Sequence, residues 1–239
     1  MWGVEMKKIT NALFSLFVVL VIAVVSGAMI YYDSYIPTSA KYDSPNTVII
    51  DPGHGGFDGG AVASDGTVEK DINLQISLKV AKMLEFSGYN VIMTRTDDTG
   101  TEDDDSISIP KRKKSDLSNR LKIMDNNPNA IYVSIHLNKF TTSAANGAQV
   151  FYTKNYKQAQ TLAKYLQSNI KDMLQPENTR VVKQGTDSTY LLKNATVPAV
   201  IVECGFLSNS AECEKLKSAE YQSQMAFAIF GGIINYFEN

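Results

Sequence analysis

From Thr47 onward, short runs of β-branched and apolar residues alternate with longer stretches in which apolar positions recur every three to four residues. The short runs are Thr47 to Ile50, Asn90 to Met93, Ala130 to Ile135, Ala148 to Tyr152 and Val197 to Val202, each bounded by Gly, Pro, Asn or Asp. Such runs predict strands, and their lack of polar alternation predicts that most are buried on both faces. Helical spacing carries Ile72, Ile76, Val80 and Leu84, with Gly88 as a C-terminal stop, then Ala159, Leu162, Ala163, Leu166 and Ile170, and finally Met225, Ile229, Ile233 and Tyr236. Strands alternating with helices of this length predict an α/β fold: a single domain with a mostly parallel twisted sheet flanked by helices on both faces.

The first 33 residues follow a different pattern. Ala12 to Tyr32 carries no charge, and a membrane span needs about 20 apolar residues. The expectation is therefore an N-terminal membrane-spanning helix ahead of the domain. Lys7 and Lys8 precede the run and only Asp33 follows closely, which puts the N-terminus inside and the rest outside. The alternative is a cleaved signal peptide, since Ser26-Gly27-Ala28 supplies small residues after the apolar stretch. Either way the domain is membrane-anchored or secreted, and extracytoplasmic. The expected organisation is residues 1–33 as anchor or signal segment, 34–46 as an aperiodic linker and 47–239 as the catalytic domain.

Charge narrows the partners. With 23 Lys plus Arg against 25 Asp plus Glu, no broad electropositive face exists to hold nucleic acid. Asp97 to Asp105 is acidic and Lys111 to Lys114 basic, which reads as a solvated surface loop. The two cysteines, Cys204 and Cys213, are too few for a disulfide scaffold. Cys204 reads as a small buried apolar side chain.

Both histidines of the chain follow predicted strands: His54 in Asp51-Pro52-Gly53-His54-Gly55-Gly56 and His136 in Ser134-Ile135-His136-Leu137-Asn138. In open α/β sheets, ligands bind beyond the carboxyl ends of the strands, where two such histidines converge. Glu69 opens the first helix after the glycine-rich turn, and Glu203 ends the Val200-Ile201-Val202 run. Two imidazoles and one carboxylate are the ligand set of many hydrolytic zinc sites with an open position for water. His54, Glu69 and His136 are therefore assigned to one Zn2+, and Glu203 to general-base catalysis. Zinc lowers the pKa of its water to about 7 and a nearby carboxylate accepts the proton, so the expected chemistry is metal-assisted amide hydrolysis. The glycines around His54 match neither GxGxxG nor Walker A, which argues against a nucleotide site.

Six segments, in order, resemble the zinc N-acetylmuramoyl-L-alanine amidases: Asp51 to Gly56, Asp58 to Ala61, Glu69 to Asp71, Met93 to Arg95, Ser134 to Asn138, and Glu203 to Asn209. The resemblance spans nearly all of Thr47 to Asn239 and implies zinc ligation by His54, Glu69 and His136 and catalysis by Glu203. It also implies the substrate, the amide between the muramic acid lactyl group and L-alanine in peptidoglycan. The layout is similar to that of the germination-specific, spore-cortex amidases. The alternatives are a general autolysin or cell-separation amidase, a wall-peptide carboxypeptidase, or a catalytically silent wall-binding regulator. Leu137 stands where many members have Ala, which would narrow the pocket beside the metal ligand. Arg95 and Arg120 are candidates for bracing the site or gripping a peptide carboxylate, against structural ion pairs, and Asn138 for holding a ligand or touching substrate. No long insertion supplies an occluding helix, so regulation is expected from an unidentified partner protein or from restricted substrate access.

Overall fold

A computed structural model describes residues 46–239. Six strands, β1 (Thr47–Pro52), β2 (Asn90–Met93), β3 (Ile131–Asn138), β4 (Gln149–Tyr152), β5 (Lys183–Gln184) and β6 (Ala199–Phe206), form one sheet in the order β2-β1-β3-β6-β4-β5. The pairs β1–β2, β1–β3, β3–β6 and β4–β5 are parallel and β4–β6 is antiparallel. The sheet is thus mostly parallel but mixed.

Six helices flank it: α1 (Glu69–Phe86), α2 (Ile109–Asp125), α3 (Lys157–Met173), α4 (Tyr190–Asn194), α5 (Ser210–Lys217) and α6 (Ala219–Glu238). Strand alternation sorts the core into two layers. Val48, Ile50, Val133, Ile135, Val150, Val200 and Val202 pack with Ile76 and Leu84 of α1, Leu162 and Leu166 of α3 and Met225 and Ile229 of α6. Ile49, Tyr132 and Ile201, from the intervening positions, pack with Met124 of α2 and Leu191 and Leu192 of α4. The predicted α/β architecture with helices on both faces is observed.

The expected membrane-spanning helix has to be corrected. No helix among the described residues is long and apolar enough to cross a membrane, and Ala12 to Tyr32, on which the expectation rested, lies outside the described residues. The described residues form an α/β domain with no spanning helix among them, and nothing in them supports the expected membrane contact.

The charged stretch is only partly a loop. From Ile109 it becomes α2, whose buried residues are Asp116, Arg120 and Met124. Its inward face joins the buried Asp116, Arg120 and Met124 to the partly buried Leu117, Leu121 and Ile123, so its apolar period is short and interleaved with ionic residues. Cys204 and Cys213 are both buried and unbridged.

Candidate metal centre

Asp51, fully buried near the end of β1, accepts hydrogen bonds from Ser134 (2.5 Å), Thr94 (2.6 Å) and the Arg120 guanidinium. Burial works against its ionisation, but the Arg120 charge and the two hydroxyls outweigh burial and hold its carboxyl well below the usual range. Arg120 also donates to Asp116, to the Pro52 carbonyl (3.1 Å) and to the His54 carbonyl (2.8 Å). Arg95 donates to the carbonyls of Pro52 (3.0 Å), Gly53 (3.1 Å), Lys70 (2.9 Å) and Asp97 (2.8 Å). Two buried guanidiniums therefore brace the turn after β1. Neither Arg95 nor Arg120, at 5% and 2% exposure, is available to a peptide carboxylate.

That turn needs bracing because His54 has φ of 62°, a conformation costly for a residue with a Cβ. Gly53 and Gly60 make the room. A Cβ at Gly53 would stand 2.3 Å from the His136 imidazole, and one at Gly60 would stand 2.6 Å from both Glu69 Oε2 and the His54 ring.

The structure brings the two histidines and Glu69 together. His54 Nε2 lies 3.3 Å and His136 Nδ1 3.0 Å from Glu69 Oε1, and one ligand atom from each residue falls within 4.8 Å of the others. Tetrahedral ligands at zinc distances of 2.0–2.1 Å stand about 3.3 Å apart, so the donor set fits a single zinc ion. His54 Nδ1 contacts Asp58 at 3.0 Å, the carboxylate–histidine pairing that orients a ligating imidazole. Burial pulls the His54 pKa down, but Asp58 and Glu69 overcome this and raise it to about 9. Burial would likewise favour a neutral Glu69, yet its contacts with both imidazoles drive its pKa far down. Its oxygens also accept from the backbone of Ala61 (2.8 Å) and Leu137 (3.0 Å).

His136 and Glu203 are neighbours across β3 and β6, and a bulge follows, with Asn138 opposite Phe206. Both residues lie within their strands rather than just after them, because β3 and β6 continue pairing past the predicted ends. One Glu203 carboxylate oxygen is buried without a partner among the described residues. Burial, helped by the Glu69 charge and opposed by the two histidines, pushes the Glu203 pKa up to about 7. Leu137, predicted to narrow the pocket, is instead buried in the core layer shared with α1, because it alternates with His136 along the strand. Asn138 stands at the end of β3 opposite Phe206.

The fold and the three-residue cluster define a zinc-dependent hydrolase built on the carboxyl edge of an α/β sheet. The chain belongs to the N-acetylmuramoyl-L-alanine amidase family, whose model matches residues 48–235. It is a zinc amidase acting on peptidoglycan, and hence outside the cytoplasm. The germination-specific N-acetylmuramoyl-L-alanine amidase of Bacillus subtilis is 38% identical over 86% of this chain and 85% of that protein. The amidase LytC of the same organism is 32% identical over 80% of this chain but only 35% of LytC. Among solved structures, the CwlD amidase of Clostridioides difficile, in complex with the GerS lipoprotein, is 42% identical with a TM-score of 0.77, covering 81% of this chain and 98% of that one.

One further residue beside the site escaped the sequence reading. Arg180, between α3 and β5, contacts Gln149, which pairs with Glu203 across β4 and β6. A lone arginine in an aperiodic segment carries no spacing signal.

Proposed function

We propose that this chain hydrolyses the amide between the muramic acid lactyl group and L-alanine as a general wall amidase, in autolysis or cell separation, with His54, Glu69 and His136 holding zinc and Glu203 acting as base. The observation that carries the reading is the convergence of the three candidate ligands beside a buried carboxylate. When bound, zinc supplies Lewis acidity toward the scissile carbonyl and lowers the pKa of water. Asp58 orients the His54 imidazole, and the Arg95 and Arg120 guanidiniums hold the backbone that carries it. Glu203, with its unpaired oxygen, takes a proton from the attacking water and returns it to the alanine amine as that amine leaves.

A second reading, preparation of spore-cortex peptidoglycan, is supported by similarity to the germination-specific amidase along 85% of that protein. Digestion of vegetative wall and cortex by the purified protein separates the two. A general amidase releases alanine N-termini from both, whereas a cortex enzyme cleaves cortex preferentially. The expected result for Glu203→Gln is full zinc content with turnover reduced about 100-fold or more. Shortened peptides with intact lactyl amides would instead reveal a carboxypeptidase, and wild-type rates in Glu203→Gln would remove Glu203 from its role.

A further inference from the structure

Building on the amidase reading, we propose that Arg180 and the cavity it lines form a subsite for a free carboxylate on the peptide portion of the substrate. A cavity of about 450 Å³ is lined in part by Asn146, Gln149, Asn178, Arg180 and Lys183. It holds two cations and several amides, and no carboxylate residue lines it. It adjoins the catalytic edge, because Gln149 of β4 sits opposite Glu203 of β6, and opposed residues of an antiparallel pair share a face of the sheet.

The four arginines of the chain, Arg95, Arg112, Arg120 and Arg180, contrast sharply. Arg112 and Arg120 pair with carboxylates, and Arg95 spends its donors on four carbonyls. Arg180 forms no ion pair among the described residues, and every contact it makes is with a neutral group. Its Nε donates to the Asn146 carbonyl (2.6 Å), its Nη1 donates to Gln149 Oε1 (3.1 Å), and its guanidinium carbon lies 4.5 Å from the centroid of the Phe206 ring. Gln149 is itself fixed, donating to the Val181 carbonyl at 2.8 Å. The guanidinium is thereby held in place with N–H groups to spare and its charge uncompensated, a preorganised arrangement suited to bidentate capture of a carboxylate.

The spacing suits the substrate. An extended peptide advances about 3.3 Å per residue and adjacent strands lie about 4.8 Å apart. A guanidinium one strand and one hydrogen bond away from Glu203 therefore meets a group one or two residues beyond the alanine whose amide is cut. Wall peptides carry acidic residues, and the chemistry recognised here is a free carboxylate in that position rather than its primary amide.

The test uses the full chain with zinc bound and two soluble muropeptides, differing only in whether the second peptide residue presents a carboxylate or a carboxamide. Wild type is expected to favour the carboxylate by about 10- to 100-fold in kcat/KM, mainly through KM, the range of a charge-assisted hydrogen bond. Arg180→Gln should abolish the preference by losing the carboxylate substrate's advantage while zinc content stays unchanged, and Arg180→Lys should restore part of it. Equal cleavage of both substrates by wild type, or equal losses on both in Arg180→Gln, would overturn the proposal. The wild-type comparison decides even if the Arg180→Gln protein does not fold. Cleavage of neither substrate would instead overturn the amidase reading, and this inference with it.

Discussion

Arg120→Met tests whether the ionic stripe of α2 holds the metal-bearing turn. Met keeps much of the length and apolar bulk of the arginine stem but leaves the fully buried Asp51 without its guanidinium and the His54 carbonyl without its donor. Breaking a buried pair by removing one partner costs about 3–5 kcal/mol, against a total stability of about 5–15 kcal/mol for a typical domain. The substitution should therefore remove a large share of the folding free energy. The pH dependence identifies the cause. In the wild type, Arg120 and the hydroxyls of Ser134 and Thr94 outweigh burial and depress the Asp51 pKa. The stability this contributes is fully present above the unfolded carboxylate value of about 3.9 and is lost as pH falls through the depressed folded value. In the variant, burial remains and the guanidinium is gone, so Asp51 is expected above its unfolded value, and lowering the pH from 7 toward 5 should narrow the gap to wild type. Urea denaturation across that range, with free zinc held constant, measures both quantities. A loss below about 1 kcal/mol, or a gap independent of pH, would refute the reasoning.

Other outcomes follow from the same geometry. Gly53→Ala should weaken zinc binding while leaving the fold in place, because its Cβ would stand 2.3 Å from the His136 ring; chelator competition and circular dichroism check the two halves of that statement. His136→Ala should lose the metal, as judged by metal analysis after dialysis. Because a proton on His54, with its pKa raised to about 9, competes with zinc, apparent zinc affinity should fall by about tenfold per pH unit as pH drops below that value. Affinity unchanged between pH 9 and 7 would show that His54 loses no proton on binding.

The fold was legible where packing leaves a period. β-branched runs buried on both faces and apolar spacing in α1, α3 and α6 are direct imprints of the core layers. α2 was missed because charged residues fill its first turns and ion-paired Asp116 and Arg120 interrupt its inward face, although Leu117, Leu121 and Met124 carry helical spacing toward the core. The convergence of His54, Glu69 and His136 was readable because parallel strands end at one edge. Their exact positions were not, since β3 runs on through His136 and β6 through Glu203. Arg95 and Arg120 were singled out as arginines, but only burial separates a brace from a substrate contact. Arg180 depends on long-range packing against Phe206 and Gln149, which no local pattern encodes.

Crystallography of the zinc-loaded protein, with anomalous scattering recorded on both sides of the zinc edge, tests the central claim most directly. The account predicts one zinc peak, coordinated by His54, Glu69 and His136, with Glu203 beside it but not ligating. A peak elsewhere, ligation that omits any of the three, or Glu203 closing the coordination sphere would contradict it.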